Sequence, residues 1–398
     1  MVAAGGTIAS GGSSSTGGKT SAGGSTGSGG NSVSGGSSVS GGSSGTGGAG
    51  GATTSSNASY VVAMVQSTKD QASDITQADV VDMVKNAVAQ AGGLDFIKDG
   101  QTVVLKPNLT TPYQDYMNTV MPLTANGVST DWRVTKAVAD MVRAKNPTGK
   151  ILVMEGSTVP AATAFSLMGY TAANFGSSVD EFIGLEGTSC GSRSEDGLVQ
   201  KSSGGKTFWL NKRYAAADVI ISLPTLKTHI SAGITGGVKN LGIGATPVAK
   251  YAAPGADGGP ASSSDCTRGQ TAPYIDHSTP ESLGQFIADF YSVKPADFVV
   301  MDGLQGLQNG PASYWLGTNY ATDKMNMRLI LAGKNAVAVD TVEATIMKCD
   351  PKKVPHLTKL EASGLGTTDL SKISVVGKQP SEVAKGFAGK LTDICPGQ

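Results

Sequence analysis

The sequence predicts an α/β protein, in which a mostly parallel sheet has helices on both faces and is preceded by a disordered Gly/Ser-rich leader. Three observations support this class. The first 58 residues are low in complexity, short apolar runs alternate with helical patterns after them, and polar residues follow one apolar run after another. Short strands that are apolar on both faces and separated by helices are typical of parallel sheets covered on both sides.

The leader covers residues 1–58. Of its first 50 residues, 33 are Gly or Ser, and Lys19 is the only charged side chain among them. Such a segment cannot bury enough apolar surface to offset its chain entropy, so it is expected to behave as a random coil. We interpret it as a flexible tether for a single large domain over residues 59–398. A dispensable tail is the alternative.

The globular part alternates between strand and helix patterns. Short apolar runs predict strands at 60–65, 102–105, 151–154, 219–223, 298–301, 329–332 and 373–376. Apolar residues at helical spacing predict helices at 79–91, 134–144 and 339–347. Gly92-Gly93 and Asn146-Pro147 end the first two helices, as helix-terminating residues do.

Charge and hydropathy exclude two classes of partner. Lys+Arg and Asp+Glu both number 31, so no overall basic field attracts nucleic acid. No apolar run reaches the ~18 residues that a membrane span needs. No secretory signal peptide is visible, yet the leader resembles the linkers of exported or lipid-anchored bacterial proteins. We therefore expect an extracytoplasmic location (periplasmic, surface-tethered or secreted), with a cytoplasmic one as the alternative.

The four cysteines are Cys190, Cys266, Cys349 and Cys395, and none belongs to a C-x-x-C motif. Zinc and iron–sulfur sites normally have closer ligand spacing. We expect one or two disulfides, with buried thiols as the alternative. The sequence does not determine the pairing.

The segment 223–244 follows a predicted strand and is read as a glycine-rich loop. It contains Lys227, His229, Thr235, Lys239 and Asn240. Glycine lets a backbone approach a ligand, lysine supplies a positive charge, and asparagine both donates and accepts hydrogen bonds. This combination predicts a site for a small anion, although the P-loop spacing is absent. The alternative is a turn with solvated lysines.

Other polar residues also follow predicted strands. Lys106 and Asn108 come after the second strand, Glu155 after the third, and Asp302 begins a second glycine-punctuated loop, 302–311. Ligands of parallel sheets bind beyond the carboxyl ends of the strands. We therefore expect these residues to join the site, with Lys106 and Asn108 as ligand-binding residues. Asp302 could also simply cap a turn.

His229 is the candidate for proton transfer, because nearby lysines disfavour its cationic form. Asp302 or Glu155 would be its carboxylate partner. A weaker alternative is a metal bound by His229, His277 and Asp302. His356 is expected to be structural.

Five motifs resemble a known family. They are V-L-K-P-N, I-I-S-L-P-T-L-K-T-H, G-I-T-G-G-V-K-N-L-G, M-D-G-L-Q-G-L-Q-N-G-P and A-V-A-V-D. Together they resemble the family known as domain of unknown function 362, over about residues 60–376. The resemblance implies functional residues at Lys106, Asn108, Lys227, His229, Thr235, Lys239, Asn240, Asp302, Gly310, Pro311 and Asp340. From the residues alone, Asp340 is predicted to be the N-cap of the following helix.

The resemblance also bears on chemistry. Members of the family are bacterial and archaeal, and many carry ferredoxin-type iron–sulfur domains, which implies redox work. This sequence lacks the cysteine-rich module, so a redox role would need a separate redox partner. The cofactor stays unspecified.

The first functional hypothesis is an enzyme that acts on a small anionic metabolite or cofactor. The alternatives are a non-catalytic extracytoplasmic binding domain and a metal-dependent enzyme that uses His229 and His277.

Overall fold

The strands and helices come from a computed structural model that describes residues 60–109, 115, 116, 119–157, 160–185, 197–247, 251 and 275–397. These residues belong to one compact unit, Thr54–Gln398. The predicted leader, Cys190 and Cys266 lie outside the described residues.

Fourteen strands are found in the described part of the chain. They are β1 Tyr60–Gln66, β2 Thr102–Pro107, β3 Asp115–Tyr116, β4 Thr119–Val120, β5 Lys150–Glu155, β6 Glu181–Gly184, β7 Leu198–Ser203, β8 Lys206–Asn211, β9 Val219–Leu223, β10 Thr225–His229, β11 Gly233–Ile234, β12 Phe298–Leu307, β13 Lys324–Gly333 and β14 Ile373–Gly377.

The same part contains several short 3₁₀ turns and eleven α-helices. They are α1 Gln77–Gln90, α2 Trp132–Lys145, α3 Ala161–Leu167, α4 Ala172–Phe175, α5 Lys212–Ala216, α6 Gly236–Gly242, α7 Pro280–Val293, α8 Tyr320–Asp323, α9 Ala336–Ile346, α10 Pro355–Ala362 and α11 Pro380–Val383.

The central sheet has the order β14-β1-β13-β12-β9-β2-β5-β6, and β10 adds to β12. Its neighbours pair in parallel, except that β13 runs antiparallel to both β1 and β12. The predicted mostly parallel sheet is confirmed. All seven predicted strands are present.

Helices cover both faces, as predicted. On one face, α1 and α2 pack on a core that includes Val103, Ile151 and Val300. On the other face, α6, α7, α9 and α10 pack on a core that includes Val104 and Val299. Since neighbouring residues of a strand point to opposite faces, each buried strand supplies both cores, which explains its continuous apolar run.

Two segments that the sequence analysis assigned to loops are regular structure. Residues 302–307 continue β12, which pairs with β13 through an irregularity between Gly303 and Gln305. A Cβ on Gly306 would lie 2.6 Å from the Phe387 ring, so glycine is needed here to leave room for Phe387. The segment 223–244 likewise forms β10, β11 and α6. The loop predictions were wrong because these glycines serve close packing.

The topology places a switch point between β2 and β9. The chain goes from β2 outward to β5 and β6, then returns to the opposite side of β2 as β9. Lys106 pairs with Ser222 where these two strands end. A crevice at such a point, beyond the carboxyl ends of the strands, is where open α/β sheets bind ligands.

Within the part of the chain that the structure describes, every helix is too short or too polar to cross a bilayer.

A disulfide joins Cys349, after α9, to Cys395 near the C-terminus, across a sequence separation of 46. The segment before Cys395 packs on the site strands, since the Ala388 carbonyl accepts hydrogen bonds from the Asn309 amide and the Thr228 hydroxyl. The expected disulfides are thus confirmed for this pair.

Replacing both Cys349 and Cys395 with alanine is expected to lower the free energy of unfolding by about 4 kcal/mol, from the loop that the bond closes. Urea unfolding with and without a reductant measures this. Reductant should destabilise the wild type more than the double variant. Equal stability of the oxidised wild type and the variant would contradict the expectation.

Candidate functional site

A buried ion pair occupies the switch point. The Lys106 Nζ atom donates to Glu155 Oε2 at 2.7 Å, to the Pro107 carbonyl at 2.7 Å and to Asn240 Oδ1 at 3.3 Å. The side chains of Lys106 and Glu155 are both 0% exposed. Asn240 in turn donates to the Lys106 carbonyl at 2.8 Å and to Ser222 Oγ at 3.1 Å. These contacts join α6 to β2 and β9.

The surroundings of Lys106 favour a structural role for its ammonium group. Three acceptors match its three N–H donors. Burial lowers the pKa of Lys106, and Glu155 partly offsets that effect. A Cβ on Gly244 would lie 2.8 Å from Lys106 Nζ, so the chain closes over this lysine. A ligand would have to displace an existing partner to bind it.

The N-terminus of α6 is capped by a side chain from α9. Asp340 accepts hydrogen bonds from the Gly237 amide at 2.6 Å and the Val238 amide at 2.9 Å. Gly236 has φ +62°, and a Cβ there would lie 2.4 Å from the Asp340 carboxyl carbon. Glycine is therefore required at this close approach.

This geometry corrects two expectations. Asp340 lies inside α9, whose N-cap is Asn335, so it does not cap its own helix. The glycines of this segment were expected to bring the backbone close to a ligand, but the amides of Gly237 and Val238 donate to Asp340. A ligand at this end of α6 would therefore depend on side chains.

Glu343, on α9, was missed by the sequence analysis. Its Oε1 atom accepts from the Lys227 amide at 3.3 Å, and its buried Oε2 atom has no hydrogen-bond partner among the described residues. Burial raises the pKa of Glu343 well above its ordinary value, and Asp340 adds to this. Burial also raises the pKa of Asp340 to about 7. The available signal was the i, i+3 spacing of two carboxylates on a helix with no other charged residue.

Lys227 is 1% exposed and lies on β10. Its Nζ atom donates to Asn108 Oδ1 at 3.2 Å and to the Val128 carbonyl. Burial, and next the charge of Lys239, lower the pKa of Lys227 to about 7. The structure thus brings together Asn108 and Lys227, which the sequence placed after different strands.

Lys239, on α6, is 8% exposed, and its ammonium group has no hydrogen bond or ion pair with the described residues. Burial, and next Lys106, lower its pKa to about 8. Thr235 precedes Lys239 by four residues, and its buried hydroxyl also lacks a partner in the described part of the chain. Lys239 and Thr235 thus each carry a buried polar group with no hydrogen-bond partner in the described part of the chain.

His229 lies at the end of β10. Its Nδ1 atom accepts from the Ser231 amide at 3.1 Å and the Ala232 amide at 3.2 Å, so the neutral ring carries its proton on Nε2. Burial lowers the pKa of His229 well below its ordinary value. The charged groups that lower it further are all basic.

Those groups are Lys239, His277, Lys227 and His356, in decreasing order of effect. His229 therefore lies within electrostatic reach of both other histidines of the chain. His277 is exposed, whereas His356 is 0% exposed, with neither ring nitrogen hydrogen-bonded to a described residue. Burial, and next Lys239, lower the pKa of His356 to about 3. Burial and these basic neighbours thus disfavour the cationic form of His229.

The carboxylates expected beside His229 have other partners. Asp302 accepts from the Asp131 amide at 2.8 Å and the Leu304 amide at 3.0 Å, while Glu155 binds Lys106. Burial, and next Asp131, raise the pKa of Asp302 to about 7. Asp302 thus stabilises the irregularity in β12 and the start of α2.

The metal hypothesis gains no support from the geometry. Among the described residues, no group of three or more His, Cys, Asp or Glu side chains is placed to hold a metal ion. His229, His277 and Asp302 therefore do not form such a group.

Gly310, which the resemblance implies together with Pro311, lies against β10. The Gly310 amide donates to Thr228 Oγ1 at 3.0 Å, and a Cβ on Gly310 would lie 2.1 Å from the Thr228 carbonyl oxygen. Glycine at this position therefore allows close packing against β10.

The fold and this polar interior define an α/β protein with a buried cluster of lysines and other polar residues at the carboxyl edge of its sheet. The chain belongs to the family described as Domain of unknown function (DUF362), whose model matches residues 103–345. The match includes each residue of the predicted ligand-binding and catalytic set.

Two further similarities accompany the family match. The chain is 28% identical over 160 residues to the thylakoid-associated protein sll1697 of Synechocystis sp., covering 40% of this chain and 41% of that protein. It is also similar to the lactate racemase apoprotein from Thermoanaerobacterium thermosaccharolyticum, with 14% identity, a TM-score of 0.35, and coverage of 78% of this chain and 58% of that one. The chain thus spans less than two thirds of either protein.

Proposed function

We propose that this protein is an enzyme that binds a small anionic metabolite or cofactor. The binding site is the cluster formed by the basic residues Lys227, His229 and Lys239 together with the hydroxyl residue Thr235. One observation carries the proposal. Lys239 is 8% exposed, and its ammonium group has no acceptor in the described part of the chain. A buried charge is costly unless it is paired, so a carboxylate or phosphate oxygen is the natural complement.

The neighbours of Lys239 support an anion as well. The Thr235 hydroxyl can donate to a second oxygen of the same group, because it has no partner among the described residues. Burial, and next four basic groups, lower the pKa of His229, and a bound anion would offset the effect of those basic groups. Lys106, in contrast, stays outside the ligand set, since Glu155 neutralises it.

The catalytic part of the proposal rests on His229. Two backbone amides fix its ring through Nδ1, which leaves the Nε2 proton to form a hydrogen bond with an oxygen atom of a bound ligand and polarise it. A redox reaction with a separate redox partner is the version that the family resemblance favours. A binding domain without catalysis would use the same lysines.

Replacing Lys239 with glutamine is expected to weaken anion binding at least tenfold, because the unpaired cation is lost. Thermal shifts with inorganic phosphate and with pyruvate give the affinities. Lys85→Gln, an exposed change on α1, is the control and should bind as the wild type does. Identical shifts for wild type and Lys239→Gln would refute an anion site at Lys239. Once a substrate is found, His229→Gln should abolish turnover and keep affinity in an enzyme.

We also propose an extracytoplasmic location. The Cys349–Cys395 disulfide supports it, because such bonds persist in oxidising compartments. Fractionation of the native host, with thiol labelling of each fraction, tests it. Reduced Cys349 and Cys395 in a cytoplasmic fraction would contradict it.

A further inference from the structure

Two buried lysines of this protein differ in how their amino groups are held. Lys106 Nζ has three acceptors, one of them the Glu155 carboxylate. Lys227 Nζ has two, the Asn108 amide oxygen and the Val128 carbonyl, and both are uncharged. The first arrangement suits an ammonium ion with three N–H donors. The second suits a neutral amine, which has two N–H donors and one lone pair.

The surroundings of Lys227 also disfavour a positive charge. The residue is 1% exposed and has no ion pair among the described residues. Burial, and next Lys239, lower its pKa to about 7, and the carboxyl groups of Glu155, Glu343 and Asp302 offset only part of that effect. A lysine that is desolvated and lies near another cation is activated as a nucleophile. With both N–H groups directed to fixed acceptors, the lone pair is left for a ligand.

We propose that Lys227 is a nucleophilic amine that forms an imine with the carbonyl carbon of a small 2-oxo acid, whose carboxylate binds Lys239. This assignment rests on the proposed anion site and specifies the class of its substrate. Lys239 supplies the charge complement and Lys227 the reacting atom.

The step balances without an oxidant or reductant. The Lys227 nitrogen attacks the carbonyl carbon, and the addition product loses one molecule of water to give the C=N bond. That loss needs a proton for the departing hydroxyl group. Glu343 contacts Lys227 through the backbone amide, and burial favours its protonated form by raising its pKa. Its Oε2 atom, which has no hydrogen-bond partner among the described residues, can supply the proton.

Reductive trapping tests the imine directly. The full-length protein is incubated with pyruvate and cyanoborohydride, which reduces the imine to a stable secondary amine, and the modified residue is located by peptide mass mapping. We expect one predominant adduct, at Lys227. Lys227→Arg keeps a cationic side chain but should trap at least tenfold less, while Lys85→Arg should trap as the wild type does. A peptide map of wild-type protein in which the adduct is spread over exposed lysines would overturn the proposal even if Lys227→Arg folds poorly.

Propionate separates the imine from the anion site, because it has the carboxylate but no carbonyl carbon to attack. Thermal shifts by propionate and pyruvate in wild type, without an adduct at Lys227, would overturn the imine and leave the anion site standing. Shifts by neither acid, with no adduct, would overturn the imine. In that case a thermal shift with inorganic phosphate tests the anion site separately, and no shift would overturn the anion site as well. The Lys239→Gln variant should form less trapped adduct than the wild type at low pyruvate concentration. At high pyruvate concentration it should form as much adduct as the wild type.

Discussion

Replacing Glu155 with leucine should lower the free energy of unfolding by about 3–5 kcal/mol, because an unpaired buried ammonium group would remain. The wild-type pair has Nζ and Oε2 2.7 Å apart, with both side chains 0% exposed. Urea unfolding gives the change. This large effect is expected at the switch point because the ion pair lies under α6, where no solvent can replace the lost carboxylate.

A double-mutant cycle identifies the cause. Lys106→Met with Glu155→Leu should recover much of the lost stability, since two apolar side chains leave no buried charge. The matched control is Glu181→Gln, which breaks the exposed pair with Arg213 at 2.7 Å and should cost less than about 1 kcal/mol. A double variant as unstable as Glu155→Leu would show that packing, and not charge, sets the loss.

Replacing Asp340 with asparagine should lower the free energy of unfolding by about 1–3 kcal/mol at pH 5, because one N–H of α6 would face an amide donor. The effect should depend on pH. Burial raises the pKa of Asp340 to about 7 in the folded protein, against an ordinary value of 3.8. Stability from this group is therefore fully present below pH 3.8 and is lost as the pH rises through 7.

The asparagine variant lacks that titration, so its deficit should shrink between pH 5 and pH 8. Urea unfolding at several pH values measures the difference. Because Asp340 raises the pKa of Glu343, the pH dependence belongs to both carboxyl groups. Asp82→Asn, an exposed change on α1, should show no such trend. A deficit that grows with pH would contradict the raised pKa of Asp340.

These two results bear on how the site is built. Asp340 and Glu155 each use an ionisable group to hold α6 in place, so that Lys239 reaches the site from a fixed helix. The glycines of α6 have a packing role. A Cβ on Gly242 would lie 2.7 Å from a methyl group of Ile287, so this glycine lets α6 contact α7.

The sequence by itself determined the class of fold. The seven apolar runs all form strands, and the central ones are continuous because a strand buried on both faces must be apolar throughout. The edge where the polar residues gather also followed from sequence, since parallel strands end at one edge. The strand boundaries were less predictable. The glycines of β12 leave room for Phe387 and pair with β13, but in sequence they look like loop residues.

Only the tertiary structure decided the partners, and hence the role, of each buried lysine. Lys106, Lys227 and Lys239 look equivalent in sequence, yet one has a carboxylate, one has two neutral acceptors and one has no partner in the described part of the chain. The role of a buried charge depends on the atoms that replace its water, and those come from Glu155, Asn108 and Val128, far apart along the chain. For the same reason Glu343 became visible as a site residue only when α9 was placed beside β10.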